Sequence, residues 1–209
     1  VDKLYFDIDS KTKLMDQKTT DIAQQFYRYL NLEEKLTVIP VVTGKKGFHI
    51  YIEIKPFFPL DISETKERLR KVSLTLVYKC FKTIPEEFDT HVLGDVQRIS
   101  RLPNTLRPPD NVNYCTFLPP RFEVLPKDSI IKLMKQQNDF DYPYYKVPEF
   151  DEFEIIEDIK INPKETVKFD SSIVVHDSNI LKNVLRPCLY RHITGKEPLH
   201  VVRAAATVD

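Results

Sequence analysis

The sequence of 209 residues is short of cysteine, glycine and net charge. Its three cysteines, Cys80, Cys115 and Cys188, are far apart and odd in number, and no Cys-x-x-Cys pair occurs. That excludes a disulfide framework and a cysteine zinc knuckle as organising elements. It points to a reducing, intracellular setting: cytoplasm or nucleoid, or the nucleus of a eukaryotic cell. Lys plus Arg and Asp plus Glu both total 31, so the formal net charge is zero. A protein that coats nucleic acid by charge alone would be basic throughout; here any phosphate-binding site must come from local clustering. No run of about 18 apolar residues occurs, so neither a membrane span nor a membrane partner is expected. The first residues are charged and strand-like, unlike a signal peptide. Glycine numbers only four against fifteen prolines, and Gly44 and Gly47 lie in one turn. Scarce glycine concentrated in one turn marks a backbone under unusual demand.

What is present reads as an α/β (α+β) fold, and the 42% apolar content supplies a core for one large domain or a domain with an appendage. Lys3 to Asp9 alternates as a strand, with Leu4, Phe6 and Ile8 on one side and Tyr5, Asp7 and Asp9 on the other. Thr20 to Leu32 has the period of an amphipathic helix, with Ile22, Phe26, Tyr29 and Leu30 near one face. Leu36–Val42 and Phe48–Ile54 form a hairpin around the turn Thr43–Gly47. Asp61 to Phe81 is a second helix, with Asp61 or Ser63 as its N-cap. Phe88–Leu93 and Val96–Leu102 are short extended pieces, Tyr114–Leu118 is a strand and Asp128–Gln137 a short helix. This order predicts a split β-α-β sheet covered by helices on one face. Asp139 to Asp158 holds eight acids and one Lys and reads as an acidic linker or a packed irregular arm. Ile180–Thr194 and Glu197 to the end read as helical. The expected organisation is a core over 1–137, a linker or arm over 138–177 and a helical segment over 178–209, the start of a truncated helical domain.

Three regions carry chemistry. Asp7 and Asp9 share a strand face, ~6–7 Å apart along the chain, a spacing that lets two carboxylates hold divalent cations. Alone, the pair is a weak signal and reads more readily as a solvated strand end. Thr43-Gly44-Lys45-Lys46-Gly47-Phe48-His49 puts two lysines in a glycine turn and a histidine on the returning strand. Such a turn suits phosphate oxygens, and it is also what an ordinary basic hairpin looks like. Asp89 precedes Arg98, Arg101 and Arg107, an acid followed by spaced cations. Asp95 is the fallback for Asp89, and His91 is placed to orient it. His176, His192 and His200 show no ligand spacing.

Together, in this order, the regions resemble the catalytic (small) subunit of archaeo-eukaryotic primases (AEP) and the related primase-polymerases of plasmids and viruses. Asp7-Ile8-Asp9 matches the family's Asp-x-Asp strand. Thr43 to His49 matches its Ser-Gly-x-x-Gly-x-His, with Thr for Ser, and Phe88-Asp89 matches its hydrophobic-Asp motif. Arg98 to Arg107 looks like the run that follows, with Arg107 where the family carries His. The likeness covers roughly residues 3 to 107. Family members usually carry a module before the first motif, on which this sequence almost starts, and often a zinc-binding insertion, for which no ligand cluster is read here. Leu185 to Leu189 and Pro198 to Arg203 look like the opening of the helical domain of primase large subunits.

The resemblance implies an RRM-like antiparallel-sheet catalytic core with a helical C-terminal appendage. It implies a DNA primase or primase-polymerase that makes primers from nucleoside triphosphates in DNA replication, by two-metal-ion nucleotidyl transfer. Asp7, Asp9 and Asp89 would hold two Mg²⁺ or Mn²⁺ ions. Thr43, Gly44, Lys45, Lys46, Gly47, His49, Arg98, Arg101 and Arg107 would bind nucleotide. Single-stranded DNA template and nucleoside triphosphates are the implied partners, with a large primase subunit or a helicase beside them. Neither zinc nor an iron–sulfur cluster is expected in this chain; Cys188 alone cannot hold one. The alternatives are a non-catalytic nucleic-acid-binding replication initiator or accessory primase subunit, and an end-joining or repair polymerase.

Overall fold

Strand alternation at the very start of the chain sets the architecture. In this computed structural model, which describes residues 1–58, 60–95, 101–107 and 112–159, β1 (Lys3–Asp9) buries Leu4, Phe6 and Ile8 completely or nearly so. It pairs antiparallel with β3 (Gly47–Glu53), which pairs antiparallel with β2 (Val38–Val42). Two short strands, β4 (Thr105–Leu106) and β5 (Tyr114–Phe117), complete a five-stranded sheet of order β1-β3-β2-β5-β4. Every pairing is antiparallel. Because β3 lies between β1 and β2, those two strands run in the same direction, and helix α1 (Gln17–Arg28) links them. This is the split β-α-β arrangement that the element order predicts.

Helices cover one face. Phe26 of α1 meets Phe6 edge-to-face at 4.9 Å and Phe88 at 5.2 Å. Leu69, Val72, Leu76 and Val77 of α2 (Ile62–Phe81) join the same cluster, as do Phe48, Ile50 and Ile52 of β3. Full burial of side chains of this size contributes ~1.5–3 kcal/mol each, so this face carries most of the fold's stability.

Local chemistry sets the helix ends. Asp16 caps α1 by accepting from Thr19 N at 2.7 Å. The helix therefore starts at Gln17, ahead of the Thr20 that periodicity suggests, because the cap and not the first apolar residue fixes its start. It gives way at Tyr29 to one π-helical turn, Tyr29–Glu33, closed by Glu34 N donating to Tyr29 O at 3.1 Å. The Tyr29 hydroxyl bonds the Glu34 carboxylate, which ties the wide turn down. Asp61, and not Ser63, caps α2 by accepting from Glu64 N at 2.9 Å. Helix α3 (Lys127–Leu133) is shorter than the periodicity of 128–137 suggests, because Asn138 takes over. The Asn138 side chain donates to Leu133 O and Gln136 O, pulling the chain out of helix.

The acidic stretch, in its described part 138–159, is packed against the core. Lys146 bridges Leu36, and Thr37 N donates to Lys146 O at 3.1 Å. Phe150 stacks on Phe57 with centroids 5.1 Å apart, and Ile156 N donates to Thr75 Oγ1 at 2.9 Å. The helical segment expected over 178–209, with Cys188, His192 and His200, lies outside the described residues, as do His176 and residues 96–100.

Candidate active site

The sheet face away from the helices carries the polar residues. Asp7 faces His49 across β1 and β3, and Asp9 faces Gly47 two pairs further along. His49 in turn faces Val41 of β2. Alternation puts Tyr5, Asp7 and Asp9 on this face together with Tyr51 and His49.

Asp7 and His49 are both buried, at 8% and 6% exposure. His49 Nε2 lies 3.8 Å from Asp7 Oδ1, close enough for Coulombic attraction when the ring is protonated and too long for a hydrogen bond. The other ring nitrogen, Nδ1, lies 3.3 Å from the Tyr51 hydroxyl. Tyr5 packs edge-on to His49 at 5.1 Å. These contacts fix the imidazole plane, with Nε2 on the Asp7 side. The partnership depends on pairing between β1 and β3; the i, i+2 spacing of His49 and Tyr51 is its only trace in sequence.

Asp9 is one-third exposed, and Lys46 reaches it with Nζ 2.7 Å from Oδ2. Gly47 is required here by Asp9 itself: a Cβ on Gly47 would collide with Asp9 Oδ1 and with Ile8 O. Gly44 sits at φ +83°, the left-handed region, with a Cβ position only 2.8 Å from Tyr114 O. Thr43 closes the turn. Its N–H donates to Gly47 O at 2.9 Å and its hydroxyl to the same oxygen at 3.1 Å. Lys45 is exposed at the tip.

Asp89 reaches the same neighbourhood by an edge pairing. Asp9 N donates to Glu87 O at 2.9 Å and Asp89 N to Asp7 O at 3.0 Å, with Ile8 and Phe88 bridged between them. Phe88 is fully buried, packing against Phe26 and Phe81 at 5.2 and 5.9 Å. It pins the segment so that Asp89 emerges beside Asp7. Lys18 of α1 clamps the preceding residues, 2.6 Å from Glu87 and 3.0 Å from Glu86. Asp89 Oδ1 accepts from the backbone N–H of His91 at 3.1 Å. It is thus the main chain of His91 that holds Asp89, while the residue itself is exposed. Asp95 pairs with Lys66 of α2 at 3.3 Å, and the Asp89 segment rather than the Asp95 segment lies along β1.

Arg101 and Arg107 gather at the opposite side of the sheet, around Cys115 of β5. Burial pushes the Cys115 thiol up to about 11, and the nearby Arg101 and Arg107 charges oppose that rise. Arg101 Nη1 is buried and has no hydrogen-bond partner among the described residues. By strand spacing these arginines lie ~14–19 Å from β1, so the structure does not bring them together with the acids. Arg98 lies outside the described residues.

Among the described residues no group of three His, Cys, Asp or Glu side chains converges as a ready-made metal cage. Asp9 faces a lysine and Asp89 a backbone amide, so the three predicted acids share a neighbourhood without forming a closed ligand set.

Fold and site define an α+β protein with a carboxylate, lysine and histidine cluster at the end of an antiparallel sheet. Comparison with known proteins gives the family: the chain belongs to the DNA primase small subunit family, whose model matches residues 6–196. Its activity class is therefore nucleotidyl transfer in DNA priming, with DNA template and nucleotides as substrates. No curated protein and no solved structure matches the chain.

Proposed function

We propose that the chain builds a nucleic-acid primer on single-stranded DNA from nucleoside triphosphates, with Asp7, Asp9 and Asp89 as its catalytic acids. The observation that carries this is the meeting of three separate sequence regions. Asp7 and Asp9 lie on one strand, the Lys46–His49 turn pairs with that strand, and the Asp89 segment pairs with its other edge.

The donor set fits a hard cation. The acids offer carboxylate oxygens only, which suits Mg²⁺ or Mn²⁺ and not a soft metal. Among the described residues no three-ligand group is closed, so such an ion would be held by one or two carboxylates together with substrate phosphates. Two such ions, when bound, would lower the pKa of the attacking 3′-hydroxyl and neutralise the departing pyrophosphate.

The chain's own residues do the rest. The 3′-oxygen bonds to the α-phosphorus while the bond from that phosphorus to the pyrophosphate oxygen breaks. Charge builds on the phosphate oxygens, where Lys45, Lys46 and His49 stand ready to stabilise it. His49 is presented edge-on by Tyr5 and Tyr51, so it needs no reorganisation when substrate arrives. Arg101, with its buried unpartnered nitrogen, would bind a more distant phosphate, with Arg107 also near Cys115, and Arg98 is assigned to nucleotide from the family resemblance alone. A large primase subunit or a helicase would assist, in cis or in trans.

The test is synthesis on single-stranded template with ribo- or deoxynucleoside triphosphates and Mn²⁺ or Mg²⁺, with and without a primer. Products without a primer support a primase. Products only with one favour an end-joining or repair polymerase. No product in any combination overturns the enzyme reading.

A further inference from the structure

The loop between β1 and α1 has no role in the site described above, yet it is built onto that site. Ser10 N donates to Lys46 O at 3.0 Å and Met15 N to Lys45 O at 3.1 Å, so the loop is hydrogen-bonded to the basic turn through its main chain. Internal bonds stiffen it. Thr12 N donates to Ser10 Oγ at 3.0 Å, and the Ser10 hydroxyl donates to Asp16 Oδ2. Asp16 is the only acid in this loop, and its carboxylate is engaged by Ser10 and by the first turn of α1.

The loop carries Lys11 and Lys13, both exposed, and continues into the exposed Lys45 of the turn. None of the three has an acidic partner among the described residues, although Lys46 next to them pairs with Asp9. Three like charges held together by a hydrogen-bonded loop repel one another, so the arrangement costs stability unless an anion relieves it. Leu14, 67% exposed, lies beside them. A free triphosphate makes no use of that apolar surface, whereas the sugars and bases of a strand do.

We propose that Lys11 and Lys13, continued by Lys45, form a ledge that binds the phosphodiester backbone of a single nucleic-acid strand at the active-site mouth. The inference rests on the primase reading, because the ledge adjoins the acids through the Lys45–Lys46 turn. Single lysines on a loop contact phosphates one at a time without reading bases, so binding is sequence-tolerant and salt-sensitive.

The experiment compares the wild-type chain with Lys11→Gln/Lys13→Gln, using a labelled oligo-dT strand and fluorescence anisotropy across a salt series without divalent metal. The variant should bind the strand several-fold more weakly. The slope of log affinity against log salt should shrink by about 1.4, two contacts at ~0.7 each for a single strand. Affinity for a fluorescent nucleoside triphosphate should be unchanged, and a thermal melt reports folding. Unchanged strand affinity and slope in a folded variant overturn the ledge, and so does a loss confined to the nucleotide. Because binding is read without synthesis, failed synthesis with a reduced slope would remove the enzyme reading and leave the ledge standing. Synthesis with an unchanged slope would do the reverse.

Discussion

The acidic arm and the lysine ledge handle charge in opposite ways. Along the arm, acids meet bases: Glu149 pairs with Lys55, Asp151 with Arg68, Glu152 with Lys146, Glu154 with Lys79 and Glu157 with Lys71. Around the site, only Lys46 of the four lysines at positions 11, 13, 45 and 46 has an acid among the described residues. A chain with zero formal net charge thus pairs its charge in one region and leaves positive charge unmatched in another. The arm's charges are matched at home, while those of the ledge await something brought from outside. Apolar anchoring does not divide in this way: Phe150, stacked on Phe57 and lying under Arg68 at 5.0 Å, holds the arm, and buried Met15 holds the loop of the ledge, each beside main-chain hydrogen bonds.

The largest effects should separate the two regions cleanly. Phe150→Ala empties a buried ring site and should cost about 3–5 kcal/mol in denaturant unfolding, while molecules that remain folded keep their synthesis rate. Asp7→Ala should do the opposite: synthesis falls by about 10²–10³-fold or more while stability holds within ~1 kcal/mol. If both variants lose stability and activity in equal measure, arm and site are not separable and the contrast fails.

Gly47→Ala should come next. The added methyl collides with Asp9 Oδ1 and Ile8 O, and one of these is backbone that cannot move aside cheaply. A cost of about 1–3 kcal/mol is expected from overpacking, together with lost synthesis, since Asp9 is displaced. Normal synthesis in Gly47→Ala would argue against Asp9 as a catalytic acid.

Asp16 supplies a smaller effect with a defined pH dependence. Burial works against its ionisation, but hydrogen bonds from Ser10 and Thr19 outweigh it and hold the carboxyl below the usual range. A depressed folded-state pKa adds stability that is complete above the unfolded value of ~3.9 and is lost as pH falls through the folded one. Asp16→Ala should therefore cost about 1 kcal/mol at neutral pH, the usual worth of an N-cap. The gap between variant and wild type should close in acid. A gap that widens in acid would refute the assignment.

How much of this was legible in the sequence depends on how far apart the interacting residues lie along the chain. β1, the hairpin and α2 follow from alternation, glycine placement and an Asp cap, all encoded within a few residues. Asp7 and Asp9 could be placed on one face for the same reason, whereas His49 joins them only through the pairing of β1 with β3. The π-turn after α1 is the exception to that rule: Tyr29 and Glu34 are only five residues apart, but apolar periodicity does not separate a wide turn from a continued helix when Phe26 and Leu30 are buried either way. The Lys18 clamp on Glu87, 69 positions on, could not be read, nor could the pairing of the Asp89 segment with β1. Periodicity proposed His91 as the residue orienting Asp89, yet the orienting group is a backbone N–H that every non-proline residue carries. The ledge was hidden for a further reason. Lys11 and Lys13 look like ordinary surface lysines until Ser10 and Met15 are seen to bond the basic turn.

The smallest effect gives the sharpest form of the comparison, because the two regions should respond with opposite sign. Lys79→Met on the arm side removes a partner from Glu154, 2.7 Å away and 67% exposed. Exposed pairs are worth about 0.2–1 kcal/mol, so unfolding should become easier by that much, and less so in high salt. Lys11→Gln on the ledge removes a charge that has no acidic partner among the described residues. Its unfolding should be unchanged or harder by a few tenths of a kcal/mol, again less so in salt. Both values come from urea melts at low and high NaCl. Destabilisation by both would mean that Lys11 has a partner within the fold. Stabilisation by Lys11→Gln together with weaker strand binding would mark the ledge as a place where the fold gives up stability to hold an anion.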